Sequence, residues 1–341
     1  MQDKPANFLK SETNISKIRR PVFCRIGISA TCILKCKMCF GWQVHFRKTS
    51  EEPTLAEWCD FIAFLSSFSD NSIEMNFTDT EPLLDERNLA LIAFSAKKGL
   101  PTSMHTNGFL IDKEMASRIV DTGLNQITLS LDGITKETHD HLRGAEGCHD
   151  TVMQAISYLD SHRSGLKIGI ATIILDENLD EIVSLAEWAN QDARVGHITF
   201  QAIMQPFFTP PIHEWYKKSK YAFLWPKDIK KIHAIIDELI KLKKNGHKIG
   251  NPVSQLETFK RYFENPKSFI RKTNCNVDFW MNINQCGDVY MCENMQSIGN
   301  IKGSRPEEIW RSQESIQRRE DIRSCKANCH ILVNCAYEEE Q

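Results

Sequence analysis

Short apolar runs alternate with longer segments of helical periodicity over the first two hundred residues, and this alternation limits the fold more than any other feature. Each run is long enough for a buried strand, and each segment that follows carries apolar residues at helical spacing. The predicted strands are residues 22–28, 73–77, 101–105, 126–131, 166–174 and 197–203. The predicted helices are residues 55–68, 85–98, 113–122, 150–162 and 179–190. This order predicts an α/β fold with a parallel sheet and crossover helices, either an open doubly wound sheet or a barrel.

Three cysteines follow the first predicted strand. Cys32, Cys36 and Cys39 leave a gap of three residues and then a gap of two. Three thiolates on so short an arc can hold one iron–sulfur cluster, but they supply one ligand fewer than a four-iron cluster takes. One iron then keeps an open coordination position. The spacing therefore predicts a cluster that acts on a bound small molecule, whereas a fully ligated cluster only passes electrons.

Zinc and disulfide bonds are the alternatives for these cysteines. Tetrahedral zinc also takes thiolates, but its sites usually pair two Cys or His units, and no second unit follows within the next few dozen residues. A disulfide role fits poorly, because the cysteines are odd in number and the sequence has no secretory signal. The cluster is the favoured interpretation.

Composition narrows the class of protein. The net charge is −2 over 341 residues, and Lys and Arg are spread along the chain without a basic stripe for nucleic acid. The longest apolar stretches, such as residues 89–94, are far shorter than a membrane span. Twelve cysteines in such a chain indicate metal thiolates in a reducing compartment. We expect a soluble, cytoplasmic protein that binds neither nucleic acid nor membrane.

The cysteine spacing after the first strand resembles the signature of the radical S-adenosylmethionine (radical SAM) superfamily. The resemblance implies a partial (β/α)6 barrel of the TIM type, which the six predicted strands fit. It also implies a SAM-binding [4Fe–4S] cluster that, once reduced, cleaves SAM to methionine and a 5′-deoxyadenosyl radical. That radical abstracts a hydrogen atom from an unactivated carbon. In a barrel the chemistry sits at the C-terminal ends of the strands, where the cysteine loop is expected.

The stretch after the second strand resembles the family's Gly-Gly-Glu-Pro motif, whose backbone and Glu hold the amino group of SAM. Glu81 and Pro82 match the motif, while Asp79 and Thr80 replace its two glycines. Glycine permits conformations and close approaches that Asp and Thr do not. The resemblance implies that the Glu81 carboxylate neutralises the ammonium of SAM.

Polar residues also follow the third and fourth strands. Asn107 belongs to a Thr-Asn-Gly turn like that of the family, and Ser130 and Asp132 lie two residues apart at the end of the fourth strand. In relatives these positions line the barrel and bond the SAM ribose. Arg143 matches an Arg often found after that strand, which could pair with the methionine carboxylate. The alternatives are turn formers for Ser130 and Asp132 and a surface salt bridge for Arg143.

A second set of cysteines lies near the C-terminus. Cys275 is followed by eleven residues, Gly287, four residues and Cys292. Gly287 predicts a hairpin turn entering a strand, so that Cys275 and Cys292 can face each other across paired strands. The remaining cysteines of the set are Cys325, Cys329 and Cys335.

This second set resembles the SPASM and twitch extensions of radical SAM enzymes. The resemblance implies one auxiliary [4Fe–4S] cluster, held by Cys275, Cys292 and two or three of the other three cysteines. Zinc is the alternative metal. Cys148 follows a loop glycine and could donate a hydrogen atom, although an uninvolved thiol is the simpler interpretation.

The chain is accordingly divided into four segments. They are an N-terminal extension (1–17), the barrel (18–205), a helical linker on the substrate side (206–269) and a small cysteine-rich auxiliary-cluster domain (270–341). About two dozen residues precede the first strand, too few for a winged peptide-recognition domain, which favours a small molecule or a short peptide as substrate. A maturase of ribosomal peptides or proteins is an alternative. The resemblance also implies an electron donor of the flavodoxin or ferredoxin type, and a non-catalytic iron–sulfur electron carrier is the alternative from another class.

Overall fold

The computed structural model describes residues 19–29, 31–43, 52–70, 72–162, 165–206, 209–210, 212–267, 275–327 and 329–335. Nine strands within them form one sheet. They are β1 (Phe23–Ile26), β2 (Glu74–Phe77), β3 (Thr102–Thr106), β4 (Gln126–Ser130), β5 (Lys167–Ile174), β6 (Val195–Ala202), β7 (Trp280–Ile283), β8 (Asp288–Tyr290) and β9 (Gly299–Asn300). Their order across the sheet is β6-β5-β4-β3-β2-β1-β7-β8-β9.

The first six strands run parallel to their neighbours, as the alternation of strands and helices predicts. This parallel sheet with crossover helices confirms the partial barrel. The strand β7 adds to its β1 edge, also in parallel, so that Phe23 pairs with Trp280 and Ile26 with Ile283. The C-terminal hairpin therefore continues the barrel sheet.

Eleven α-helices accompany the strands in the described residues. They are α1 (Leu55–Ser69), α2 (Arg87–Lys97), α3 (Lys113–Asp121), α4 (Lys136–Arg143), α5 (Cys148–Ser161), α6 (Ile182–Gln191), α7 (Trp215–Lys218), α8 (Ile229–Lys244), α9 (Val253–Glu264), α10 (Pro306–Trp310) and α11 (Gln313–Ser324). The five helices predicted in the barrel region are present as α1, α2, α3, α5 and α6. Helix α4 was not predicted, because only His139 and Leu142 of its eight residues are buried and its apolar periodicity is too weak to recognise.

The two faces of the sheet differ in polarity. Ile26, Met75, Met104, Ile127 and Ile170 are fully or almost fully buried on the face that the helices cover. The alternate residues point to the other face, the interior of the partial barrel. That interior carries polar side chains, among which are Arg25, Asn76, Ser103, His105, Thr128 and His197. A polar interior can accommodate a polar ligand.

The predicted hairpin is present, but its cysteines lie outside it. Gly287 has φ +82° in the turn between β7 and β8, a conformation that favours glycine. Cys275 precedes β7 and Cys292 follows β8, so neither belongs to the paired residues. The prediction that they face each other across paired strands was wrong. The hairpin instead places them at its open end.

No helix in the described residues combines the length and the apolar character that a membrane crossing requires.

Candidate metal centre

The loop that follows β1 folds around its three cysteines. The Cys36 side chain is buried, and those of Cys32 and Cys39 are half-buried. The Cys39 N–H donates to the Cys36 carbonyl at 3.2 Å, and the Gly41 N–H donates to Cys39 Sγ at 3.3 Å. These local hydrogen bonds hold the last two cysteines of the motif in one turn.

Two polar side chains reach the thiols from other elements. Asn107 Nδ2 lies 3.8 Å from Cys32 Sγ, and Arg143 Nη1 lies 4.0 Å from Cys36 Sγ. Burial raises the pKa of Cys36 to about 12, although Arg143 acts in the opposite direction. Burial also raises the pKa of both Cys32 and Cys39. A bound metal would therefore supply much of the positive charge that three thiolates need here.

The cysteine loop is fastened to the neighbouring strand ends and to α4. The Thr80 hydroxyl lies 2.8 Å from the Ser29 carbonyl and 2.7 Å from the Thr31 carbonyl. The Lys37 N–H donates to the Leu142 carbonyl at 2.9 Å. A side chain at Gly144 would come within 2.5 Å of the Lys35 carbonyl, so the loop approaches α4 closely. These contacts fix the position of the described part of the loop relative to the strand ends and α4.

The Glu81 carboxylate forms its hydrogen bonds within the protein. Its side chain is 0% exposed. Its Oε1 accepts from the Thr106 hydroxyl at 2.6 Å and from the Leu83 N–H at 3.1 Å. Its Oε2 accepts from the Asn107 N–H at 2.9 Å. Glu81 thus joins the end of β2 to the turn after β3, which holds Asn107 beside Cys32.

The two residues that replace the motif's glycines adopt ordinary backbone conformations, since neither Asp79 nor Thr80 has a positive φ. Glycine is therefore not required for the path of this stretch. The Asp79 carboxylate lies over Gly27, where an added Cβ would come within 2.7 Å of Asp79 Oδ2. The Asp79 side chain keeps accessible surface, but the protein groups around it displace part of its hydration, which raises its pKa to about 6, while Arg25 acts in the opposite direction. It also lies close enough to Cys39 to influence that thiol electrostatically.

Asp132 and Arg143 bind each other. Arg143 Nη2 lies 2.6 Å from Asp132 Oδ2, and the Asp132 side chain is 0% exposed. The other carboxylate oxygen accepts from the Ile173 N–H at 2.8 Å. Burial lowers the pKa of Arg143, but Asp132 and Cys36 raise it more, so the guanidinium remains charged. The pair therefore positions a cation beside Cys36, in place of an open ribose contact by Asp132.

The two remaining predicted residues differ in accessibility. Ser130 ends β4 and is half-buried, opposite Ala171 of β5. Cys148 is the first residue of α5 and is only 1% exposed, so it packs in the core and does not lie on an open loop. Burial and Asp140 raise the pKa of the Cys148 thiol to about 11. A direct hydrogen-atom donor must be accessible to its substrate, and burial keeps the Cys148 thiol away from accessible space.

The C-terminal cysteines come together although they belong to separate segments. Burial raises the pKa of Cys335 to about 12, and both Cys329 and Cys275 lie close enough to raise it further. Burial also raises the pKa of Cys292, with further contributions from Cys329 and Cys325. Cys329 is thus near both halves of the set. Electrostatic influences thus link all five predicted cysteines, with Cys329 in common.

This group lies beside the edge strand β6. Asn334 exchanges two hydrogen bonds with Ala202 at the end of β6, of 2.8 and 3.0 Å. The adjacent Cys335 lies within electrostatic reach of Arg25 on β1. The C-terminal segment therefore connects β6, at one edge of the sheet, with an interior side chain of β1.

Arg25 is a residue that the sequence interpretation missed. Its guanidinium forms an ion pair with Glu293, the neighbour of Cys292. Burial lowers its pKa, whereas Asp79 and Cys335 raise it. Arg25 thus lies between the two cysteine sets. A charged residue in the middle of an apolar strand was the signal in the sequence, because a strand in a parallel sheet is usually apolar throughout.

Two histidines inside the barrel were also missed. His105, Thr128, Gly169 and His197 occupy one row across β3, β4, β5 and β6. A Cβ on Gly169 would lie 2.4 Å from the His197 ring, so the glycine makes room for this imidazole. The His105 ring keeps accessible surface toward the interior, but desolvation by the surrounding protein, and then His197, lowers its pKa to about 4. Two neutral imidazoles therefore line the interior at neutral pH.

The donor set fits iron–sulfur clusters. Among the described residues, no three His, Cys, Asp or Glu side chains are close enough to hold one metal ion. The ligands of a four-iron cluster each bind a different iron and lie farther apart than the ligands of one ion. Two separate groups of soft thiol ligands suit such clusters.

Arg143→Met is expected to lower the free energy of unfolding by about 3–5 kcal/mol, because Asp132 would remain as a buried, unpaired charge. Anaerobic urea unfolding would measure this change. Arg194 is a matched control, since it pairs with Asp192 at 2.5 Å on a more exposed surface, and Arg194→Met should cost about 0–1 kcal/mol. Adding Asp132→Asn to Arg143→Met should recover part of the loss. Equal, small effects of both arginine substitutions would contradict the buried pair.

Comparison with known proteins agrees with this geometry. A family model described as the Radical SAM superfamily matches residues 26–189. The Fe-coproporphyrin III synthase of Methanosarcina barkeri is 30% identical over 185 residues, which cover 54% of this chain and 44% of that protein. An AdoMet-dependent heme synthase of the same organism is 23% identical over 326 residues, which cover 91% of this chain and 87% of that protein. The chain thus spans less than half the length of the first relative and most of the second.

Solved structures share the fold. SuiB of Streptococcus suis, bound to S-adenosylmethionine, aligns with a TM-score of 0.67 and 16% identity over 96% of this chain and 76% of that chain. Native anSMEcpe with bound AdoMet aligns with a TM-score of 0.65 and 19% identity over 87% of this chain and 82% of that chain. The arrangement of barrel and C-terminal segment is therefore one that solved proteins adopt.

Proposed function

Because the chain belongs to the radical SAM superfamily, we propose that it cleaves S-adenosylmethionine reductively and abstracts a hydrogen atom from an unactivated carbon. The substrate is a small molecule or a short peptide. The observation that carries the proposal is the group of three free thiols after β1, with Asn107 and Arg143 directed at two of their sulfur atoms. The reaction, the substrate and the residue roles below are all parts of this proposal.

Cys32, Cys36 and Cys39 would hold the first [4Fe–4S] cluster and leave one iron open. When bound and reduced, this cluster supplies the electron that cleaves SAM to methionine and the 5′-deoxyadenosyl radical. Arg143 places a positive charge beside Cys36, which stabilises negative charge on the thiolate. Asn107 is held by Glu81 and offers its amide beside Cys32. Ser130, half-buried at the end of β4, keeps its proposed role in binding the ribose.

The auxiliary cluster would be held by four of the five C-terminal cysteines. Arg25 carries positive charge into the space between this group and the first cysteine loop. It would therefore stabilise a more negative, reduced state of a neighbouring cluster or an anionic group of the substrate. The polar interior with His105 and His197 supports a substrate with hydrogen-bonding groups.

Two substrate classes receive specific support. Similarity to the AdoMet-dependent heme synthase extends over 91% of this chain and 87% of that protein, and favours a tetrapyrrole. A neutral imidazole such as His105 is also a common ligand of porphyrin iron. The peptide alternative is supported by a PqqA peptide cyclase of Granulibacter bethesdensis, 22% identical over 175 residues. Titration with Fe-coproporphyrin III, followed by the porphyrin absorption band, separates the two, since a peptide maturase should not shift it.

The activity itself has a direct test. The anaerobically reconstituted protein, given dithionite and SAM, should release 5′-deoxyadenosine without any added substrate. If an iron-loaded protein released no 5′-deoxyadenosine, the proposed function would be overturned and a purely electron-carrying role would be favoured.

We further propose that Asp79 neutralises the SAM ammonium, because the oxygens of Glu81 are already bound within the protein. Asp79→Asn should weaken SAM binding about tenfold to hundredfold, the value of a charge-assisted hydrogen bond, while thermal stability stays unchanged. Glu81→Ala should lower stability as well, because buried donors lose their acceptor. Titrating SAM against the electron paramagnetic resonance signal of the cluster measures the affinity. If the Asp79→Asn variant bound SAM with normal affinity, Glu81 would be the residue that contacts the SAM ammonium.

A further inference from the structure

The outer surface of the cysteine loop carries lysines stacked on aromatic rings. Lys35 lies 6.0 Å from the centre of the Trp42 ring, and Lys220 lies 5.4 Å from the centre of the Phe40 ring. Lys37 lies 5.9 Å from the Phe223 ring. The basic–aromatic patch is defined by these residues and Tyr221: Lys35, Lys37, Phe40, Trp42, Lys220, Tyr221 and Phe223.

The patch is one continuous surface made by two segments. The Phe40 and Trp42 rings stack 6.1 Å apart in the segment that follows Cys39. Tyr221, from the segment after α7, packs its ring edge-on against Phe40 at 5.0 Å. The ring contacts therefore connect the lysines of the cysteine loop to Lys220.

The patch lies directly over the first cysteine set. Lys35 and Lys37 flank Cys36 in the sequence, and Trp42 Nε1 donates to the Cys39 carbonyl at 3.0 Å. Ile33, next to Cys32, is 43% exposed and adds apolar surface to the same loop. The patch and the three thiols therefore belong to one short loop. A partner on the patch would approach the first cluster more closely than on the outer helices.

Two of the three patch lysines keep their charge. Among the described residues, Lys35 and Lys220 have no acidic side chain within ion-pair distance, whereas Lys37 pairs with Glu177 at 3.8 Å. The nearby acids are already paired: Glu177 with Lys37 and His141, Asp176 with Lys227, and Glu214 with Lys217 and Lys267. Unpaired cations around exposed apolar side chains fit an acidic protein partner, because charge complementarity guides association and apolar contact stabilises it.

We propose that the basic–aromatic patch is the docking surface for an acidic one-electron carrier protein of the flavodoxin or ferredoxin class, an assignment that rests on the proposed function. Reductive cleavage of SAM consumes one electron for each turnover. The reduced carrier gives up that electron and is oxidised by one electron, and the first cluster accepts the electron. Lys35 and Lys220 steer the acidic carrier, and Phe223 and Ile33 supply apolar contact.

The test compares a protein donor with a small chemical donor. In Lys35→Glu with Lys220→Glu, the concentration of reduced flavodoxin needed for half-maximal 5′-deoxyadenosine formation should rise about tenfold at low ionic strength. Added salt should slow the wild type with flavodoxin and have little effect on the variant. With dithionite, which needs no docking surface, both proteins should form 5′-deoxyadenosine at equal rates.

The control reverses the charge of two other lysines. These also lie over aromatic rings, but at outer helices away from the patch. Lys98 lies 5.3 Å from the Phe94 ring and Lys113 lies 5.9 Å from the Tyr158 ring. Lys98→Glu with Lys113→Glu should leave the flavodoxin dependence unchanged. An equal loss in this control, or no loss in the patch variant, would overturn the proposal. If the double patch variant also slows with dithionite, the single variant Lys220→Glu, which lies outside the cysteine loop, takes its place. The same comparison of flavodoxin with dithionite then tests the proposal. A wild type inactive with dithionite would instead refute the proposed function.

Discussion

Cys36→Ala is expected to abolish the release of 5′-deoxyadenosine from SAM. Cys36 is the buried member of the first cysteine set, and Arg143 points to its sulfur. Without this thiolate the loop offers only two ligands, which cannot retain a cluster with one open iron. The measurement is 5′-deoxyadenosine formed with dithionite and SAM under anaerobic conditions, together with the iron content of the protein.

Cys59 provides the matched control for this substitution. It is a half-buried cysteine on α1, outside both cysteine sets. Cys59→Ala should retain the full iron content and the wild-type rate. If Cys36→Ala formed 5′-deoxyadenosine at the wild-type rate, the assignment of the first cluster would fail.

Cys275→Ala with Cys292→Ala should remove about half of the iron. Two separate thiol groups predict two four-iron clusters, about eight irons for each chain. Cys275 and Cys292 flank the C-terminal hairpin and reach the same group through Cys335 and Cys329. The double variant should therefore retain about four irons on the first cysteine set, and iron and sulfide analysis after anaerobic reconstitution would measure the change.

Cys286 is the control here, because it lies in the turn of the same hairpin without belonging to the thiol group. Cys286→Ala should keep about eight irons, as in the wild type. A wild type with about four irons, unchanged in the double variant, would eliminate the auxiliary cluster. Retention of SAM cleavage by the double variant would further separate the roles of the two clusters.

The altered Gly-Gly-Glu motif shows how structure changes the interpretation of a motif. The sequence pointed to Glu81 as the carboxylate that meets the SAM ammonium. In the fold Glu81 is enclosed by three donors, and Asp79 at the position of the first lost glycine keeps an accessible carboxylate. A motif match identifies which residues are near the ligand, but the hydrogen-bond partners of each atom decide which of them is available to it.

The sequence alone determined the order of the first six strands and most of their helices. It could do so because burial imposes a period on apolar residues. It also pointed to the first cysteine set, because ligand spacing within one loop is a local property of the chain, and to the second set by its resemblance to known extensions. Helix α4 was not predicted, because only two of its eight residues are buried and they give no recognisable apolar period.

Contacts between distant parts of the chain could be recognised only in the folded structure. The pairing of β7 with β1, the bridge from Asn334 to β6 and the position of Arg25 between the two cysteine sets join residues far apart in the chain. The pairing of Asp132 with Arg143 is likewise fixed by the approach of α4 to β4 and β5. Such contacts depend on how complete elements pack against each other, and a pattern of neighbouring residues does not encode which distant element will satisfy a buried charge.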